Sequence, residues 1–323
     1  MNVTYFPVLQ RAWERARALL FTPFRFETWL VLGLAAFLSE WLSGGWGHSG
    51  FQSHVQGHHG HIGAPFAFLA HPIWGPLAVT VALTVALIVL VCQWLGARGK
   101  FVFLDDVVRR RAAIGDPWTR YAALGDSLFF WKLGVLIVAG LLIGGILLTA
   151  AGAAILAAFG LHAPVAAAPP IAAAVTLLAI IALLVAFVML LTDDFVVPIM
   201  YRDGLQAMAA WRRFLPLLRR EPGLFVLYAL FVLVLSVIVW AIVAAVGVAT
   251  CCVGFLLVGL PYVGQVVLLP VYVTFRALGP EFLAQFGPEY DIFAAAQPGG
   301  GAVPPSTPGG SAGPPPSPGA PVG

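Results

Sequence analysis

Apolar residues run in six long stretches along the 323-residue chain, near 26–43, 76–95, 133–158, 171–191, 224–247 and 255–275, with polar residues gathered between them. A helix rises about 1.5 Å per residue, so ~20 apolar residues match the ~30 Å hydrocarbon core of a bilayer. Backbone groups facing lipid must satisfy their own hydrogen bonds, which makes helices the expected spanning element. The pattern predicts an all-α integral membrane protein with about six transmembrane helices. The first stretch is short and contains Glu40, and the last is interrupted by Pro261 and Pro270. Proline costs a soluble helix about 3 kcal/mol, but membranes accommodate it when neighbours re-satisfy the freed carbonyls.

The segments leading into the odd-numbered stretches are amphipathic. Over residues 5–21, Val8, Ala12, Trp13 and Leu19 lie broadly opposite Arg11, Arg15 and Arg17. Over 205–221, Trp211, Leu215 and Leu218 oppose Arg212, Arg213, Arg219 and Arg220, and a more broken segment, 112–132, carries Trp118, Tyr121 and Trp131. Each reads as a helix lying in the cytoplasmic interface. The order predicts three copies of an interfacial helix plus a membrane hairpin. Phe101 to Trp118 and Asp194 to Trp211 share one spacing, which also aligns Arg109 with Arg202. The competing reading is chance similarity among apolar segments.

Charge fixes an orientation. All 17 basic residues precede the first stretch, follow the sixth, or lie after the second or fourth, whereas 44–75, 159–170 and 248–254 contain no Lys or Arg. Short cytoplasmic loops retain Lys and Arg, so both termini are expected in the cytoplasm of a cell whose plasma or inner membrane holds the chain. Only 10% of residues are charged and 60% are hydrophobic, against roughly 25% charged in a soluble domain. The net charge of +3 is spread along inner-face segments, so the expected partners are membrane lipids and other membrane proteins, not nucleic acid. Fifteen Arg against two Lys, with abundant Ala, Gly, Pro and Val, fits a bacterium with a GC-rich genome.

The expected organisation is an interfacial helix over 1–25, a six-span domain over 26–276, a cytoplasmic segment over 277–297 and a disordered Pro/Gly-rich tail over 298–323, which has no charge and no aromatic residue. Residues 1–25 carry Glu14 and four Arg with no compact apolar core, so no cleaved signal peptide is expected. Cys92 falls inside the second stretch and Cys251 adjoins Cys252, which reads as buried thiols rather than a disulfide framework. Trp29, Trp41, Trp46, Trp74, Trp94 and Trp131 lie near stretch ends, where indole rings anchor at headgroup level. Gly140 and Gly144, in GxxxG spacing beside Gly145, predict close approach of another helix of the same bundle.

Two groups of residues carry candidate chemistry. His48, His54, His58, His59, His61 and His71 are six of the seven histidines and share the first external loop. Neutral imidazoles on a Gly-rich segment are suited to Zn, Ni or Cu, so a divalent metal is one expectation there and a merely polar loop the other. Asp105, Asp106, Asp193 and Asp194 sit among apolar residues at the ends of the second and fourth stretches. Carboxylates in hydrocarbon point to an ion or proton pathway; at the inner interface they become structural ion pairs, with Arg202 or Arg213 near Asp193 and Asp194. Glu40 is expected at the outer interface beside Trp41. Gly125-Asp126-Ser127-Leu128 spells the GDSL hydrolase motif, but no DxxH follows and the segment approaches a membrane span, so chance is the better reading. No GxxxxGK is present.

Several segments carry a resemblance: FTPFRFETWL at 21–30 after AWER at 12–15, FVFLDDVV at 101–108, DDFVVPIMY at 193–201 and LPYVGQVVLLPVYVTFR at 260–276. Together they resemble a family of uncharacterised bacterial multi-spanning membrane proteins. They are also distantly similar to the membrane domain attached to some glycerophosphoryl diester phosphodiesterases. The resemblance covers about residues 5–293 and implies a six-helix fold but no activity, since the phosphodiesterase chemistry belongs to a separate soluble domain. The functional expectation is a non-enzymatic scaffold, accessory subunit or lipid-organising component. The alternative is a small-solute or ion transporter using the inner-side carboxylates.

Overall fold

The computed structural model describes residues 4–22, 24–41, 74–157, 168–250, 253–260 and 262–295. Among them every regular element is helical. Helix α1 (Phe6–Phe21) is followed by α2 (Phe26–Ala36), which widens into a π-helical turn at Phe37–Trp41. Then come α3 (Trp74–Arg109), a short α4 (Gly115–Arg120), α5 (Ala122–Ile155) and α6 (Ala168–Leu191). A second π segment (Thr192–Val196) joins α6 to α7 (Val197–Asp203). The chain continues through α8 (Ala207–Arg220), α9 (Pro222–Ala249), α10 (Val253–Gly259), α11 (Val263–Val267), α12 (Leu269–Leu283) and α13 (Ile292–Ala295).

Four helical stretches among the described residues are long and apolar enough to cross a membrane: Pro76–Arg109, Ala122–Ile155, Ala168–Asp203 and Pro222–Ala249. Their most apolar windows are almost wholly uncovered by protein. Leu83, Leu87, Leu141, Leu148, Leu183 and Val237 all point outward, an arrangement suited to lipid rather than water. The first and sixth expected stretches look different. The first is a 16-residue helix, Phe26–Trp41, roughly 24 Å long at ~1.5 Å per residue. The sixth is split into α10, α11 and the start of α12, with Pro270 in the first turn of α12.

Protein–protein burial concentrates at one end of the bundle, the end rich in charge. The 34-residue stretches of α3 and α5 are about 51 Å long at ~1.5 Å per residue, well beyond ~30 Å of hydrocarbon. Their overhanging ends, Ala97–Val108 and Tyr121–Lys132, build a core with α1, α7, α8 and the first turns of α9. Helix α12 runs through the middle of it: every residue from Val273 to Leu283 is buried. Phe195, Phe214, Phe225, Tyr228 and Phe282 stack there with ring centroids 4.7 to 6.0 Å apart.

The amphipathic helices meet this core rather than lie free at a surface. Val8, Ala12, Ala16, Leu19 and Leu20 of α1 pack onto α12, and Ala207, Ala210 and Phe214 of α8 are buried. The third amphipathic segment is divided between α4 and the start of α5. The glycines of α5 depart from expectation: a Cβ on Gly140, Gly144 or Gly145 would meet nothing within 4 Å, so no helix of the described bundle fills that face. Three of the tryptophans expected at headgroup level spend their N–H groups inside the protein. Trp29 donates to the Leu20 carbonyl, Trp94 to Asp126 and Trp131 to Thr192.

Gly279 marks a close helix crossing. A Cβ there would collide with the Asp194 carbonyl oxygen and stand 2.8 Å from the Asp194 Cβ, and backbone cannot move aside cheaply. Gly279→Ala is therefore expected to cost about 1–3 kcal/mol, as overpacking does. A thermal-unfolding scan of the purified variant in detergent checks this, and an unchanged midpoint would mean that α12 is free to shift.

Candidate functional site

The π segment Thr192–Val196 sends its two carboxylates to different partners. Asp193 Oδ2 stands 2.5 Å from Lys100 Nζ, and its Oδ1 stands 2.7 Å from Lys132 Nζ. Both lysine side chains are almost out of solvent, at 2% and 10% exposure. They are the only lysines in the chain, and one carboxylate holds both. Arg276 of α12 closes the group by donating to the Lys100 carbonyl at 2.8 Å and the Asp193 carbonyl at 3.4 Å. Asp194 accepts from the Tyr228 hydroxyl at 2.9 Å, within the aromatic core.

The other π turn faces the same lysine. Leu38 and Ser39 approach α3 at Gly99, where a Cβ would come within 2.8 Å of Leu38 and 2.9 Å of the Ser39 nitrogen. Ser39 Oγ donates to Glu40 at 2.9 Å, and Glu40 lies within electrostatic reach of Lys100. Glu40 thus belongs to the charged end rather than the outer interface. Mid-helix π turns widen the helix and re-aim side chains, and here they bring carboxylates of two segments to one ammonium.

A second cluster surrounds Asp105, which is wholly buried. Arg109 Nε stands 2.9 Å from its Oδ1 and Arg111 Nη2 2.8 Å from its Oδ2. Tyr121 and Tyr201 add hydroxyl donors at 3.1 and 2.8 Å. Burial, and then the neighbouring Asp105 carboxylate, push the Tyr121 phenol above its ordinary value. Asp106 turns elsewhere: its Oδ1 accepts from the Ala113 amide at 3.0 Å, while its buried Oδ2 has no hydrogen-bond partner among the described residues.

Three further acids are held by arginine. Glu281, nearly buried on α12, takes Arg11 at 2.9 Å and Arg15. Asp126 accepts from Arg98 through both oxygens, and Asp203 pairs with Arg213 at 2.7 Å. The GDSL letters therefore have a structural use here. Asp126 holds α3 to α5, and Ser127 Oγ accepts from the Ala207 amide at 3.0 Å, satisfying a donor at the start of α8.

Of the residues proposed from sequence, Asp193 and Asp105 become centres of two ion-pair clusters, while Asp194 and Asp106 rest on hydroxyl or amide donors. The expected partners were Arg202 or Arg213; the ion-pair partners of Asp193 are Lys100 and Lys132, because the overhanging ends of α3 and α5 run beside the end of α6. The sequence pattern assigns no site role to Lys100, Lys132, Tyr121, Tyr201, Arg276 or Glu281. The rarity of lysine among 17 basic residues was the signal available for two of them. The histidines at 48, 54, 58, 59, 61 and 71, with Cys251, Cys252 and the tail over 298–323, lie outside the described residues. Among the described residues, no three His, Cys, Asp or Glu side chains gather as a metal site would require. Cys92 is a free, half-buried thiol. A family model described as a family of unknown function (DUF7544) matches residues 6–286. No curated protein and no solved structure matches the chain.

Proposed function

The chain belongs to this DUF7544 family, and we propose that it works as a non-enzymatic membrane scaffold, accessory subunit or lipid-organising component. In this reading six apolar segments enter the bilayer, four continuous and two interrupted, with both termini in the cytoplasm and the charged end at the inner leaflet. The distribution of Lys and Arg supports that orientation. The order of an amphipathic segment followed by two apolar ones recurs three times along the chain, which supports the repeat reading. The likeness to the membrane domain of glycerophosphoryl diester phosphodiesterases contributes an architecture and no catalytic residue.

One observation carries the proposal. Asp105, Asp193 and Glu281 are each clasped by two basic side chains, and these clasps tie α1, α3, α5, the second π segment and α12 together. A carboxylate that conducts must exchange partners, whereas these are held at both oxygens: Asp193 by lysines of two different helices, Glu281 by two arginines of α1, and Asp105 by Arg109 of its own helix and Arg111 just beyond it. The histidine segment links Glu40 at the charged end to Trp74 at the opposite end of α3; the reading places only its part next to Trp74 outside, where a divalent metal would be a peripheral ligand.

The competing transport reading predicts flux. Proteoliposomes holding the full chain and a pH-sensitive dye are expected to dissipate an imposed proton gradient no faster than protein-free vesicles. Faster dissipation, removed by Asp193→Asn, would replace the scaffold with a transporter.

A further inference from the structure

Helix α1 has two faces with different occupants. Its buried face, with Arg11 and Arg15 fastened to Glu281, is spent on α12. The opposite face carries Phe6, Trp13 and Arg17 along one side of the helix, and all three are exposed, Trp13 at 43%, so Trp13 sides with Arg17 and not, as the sequence pattern suggests, with Val8, Ala12 and Leu19. The chain just beyond it adds exposed Phe21, Phe24 and Phe26 with exposed Arg25. Phe21 and Phe24 both lean on Trp29, with ring centroids 5.7 Å away, so the aromatic group is continuous with the foot of α2. Neither Arg17 nor Arg25 is ion-paired among the described residues. The acids on this stretch are Glu14, which accepts from Gln10 at 3.0 Å, and exposed Glu27. A shallow depression lined by Glu14, Arg17, Ala18 and Thr22 opens on the same face.

Large aromatic rings interleaved with arginines fit one environment well. The rings settle at the level where acyl chains meet headgroups, and the guanidinium groups pair with phosphate. A water-facing helix would gain nothing from five exposed aromatics, and the buried face already supplies the helix's protein contact. We infer that the outer face of α1, with Phe24, Arg25 and Phe26, is a docking surface for anionic phospholipid of the leaflet at the charged end. The inference rests on the membrane reading above and names the lipid class it selects. Glu281 then has a second consequence: it holds α1 at the depth where this face meets the headgroups.

The test uses the full chain reconstituted in vesicles of phosphatidylcholine and phosphatidylglycerol, with bromine on the acyl chains of one lipid at a time. The Trp13 signal is the difference in emission between the wild type and Trp13→Phe. Brominated phosphatidylglycerol is expected to quench that difference at least twofold more than brominated phosphatidylcholine at equal mole fraction. Arg17→Gln with Arg25→Gln should bring the two lipids level while leaving the unfolding midpoint within a degree or two. Equal quenching by both lipids in the wild type overturns the selectivity. Quenching by neither overturns the surface itself and assigns the face to a protein partner. Either failure is separate from that of the scaffold reading, which falls on proton flux.

Discussion

Asp193→Asn is expected to destabilise the protein by about 3–5 kcal/mol, the cost of removing one partner from a buried ion pair. The asparagine keeps the size of the side chain but leaves Lys100 and Lys132 facing each other. Lys100 is 2% exposed, and Arg276 adds a third positive charge beside it. The sign follows from desolvation: an ammonium deprived of its counter-ion in the interior must be hydrated, discharged or unfolded around. Asp193 itself is 20% exposed, so some of the loss is recoverable by water entering at its edge, which favours the lower part of the range. Unfolding of purified wild type and variant by denaturant in a mild detergent measures the difference. A variant as stable as the wild type would show that the two lysines find other anions, Glu40 first among them.

Phe195→Ala is expected to cost a comparable ~3–5 kcal/mol, through transfer and cavity terms rather than charge. Phe195 is fully buried at the meeting point of four helices, with rings of Phe214, Phe225, Tyr228 and Phe282 4.9 to 5.8 Å from its own. Lipid-facing truncations make the contrast. Leu141 and Leu148 of α5 are largely exposed to the surroundings, and their replacement by alanine exchanges protein–lipid contact for lipid–lipid contact. Measured together, Phe195→Ala should lower the midpoint steeply and Leu148→Ala hardly at all. The reverse order would place the true core among the uncovered apolar windows.

That contrast also shows why the four long apolar helices were legible from hydropathy and the form of the first and sixth stretches was not. An apolar run tells that water is excluded but not whether lipid or protein excludes it. Around residues 273–283 protein does so, since every residue there is buried. At Phe26–Trp41 the apolar run ends in a turn whose Ser39 and Glu40 are drawn to α3 at the charged end. The amphipathic segments were legible as helices, but their pattern does not name what covers the apolar face. Periodicity in α1 and α8 reveals an apolar face, and the core covers that face as well as a membrane would. The paired aspartates announced buried charge, but the partner of Asp193 is as distant in sequence as Lys100, and only the length of α3, which runs on past its apolar part, brings the two level. The GxxxG spacing of α5 was legible as a smooth surface and silent about its occupant.

The central claim is that the Lys100–Asp193–Lys132 group fastens helices together and does no other work. The most direct measurement compares the unfolding free energy of Asp193→Leu with that of the combined variant Lys100→Met, Lys132→Met and Asp193→Leu. Well-packed apolar side chains commonly replace a buried ionic group at no net cost, whereas one missing member is severe. The single variant should lose several kcal/mol, and the combined variant should return to within ~1 kcal/mol of the wild type or exceed it. A combined variant as unstable as Asp193→Leu alone would contradict the account, because the charges would then be holding something other than each other.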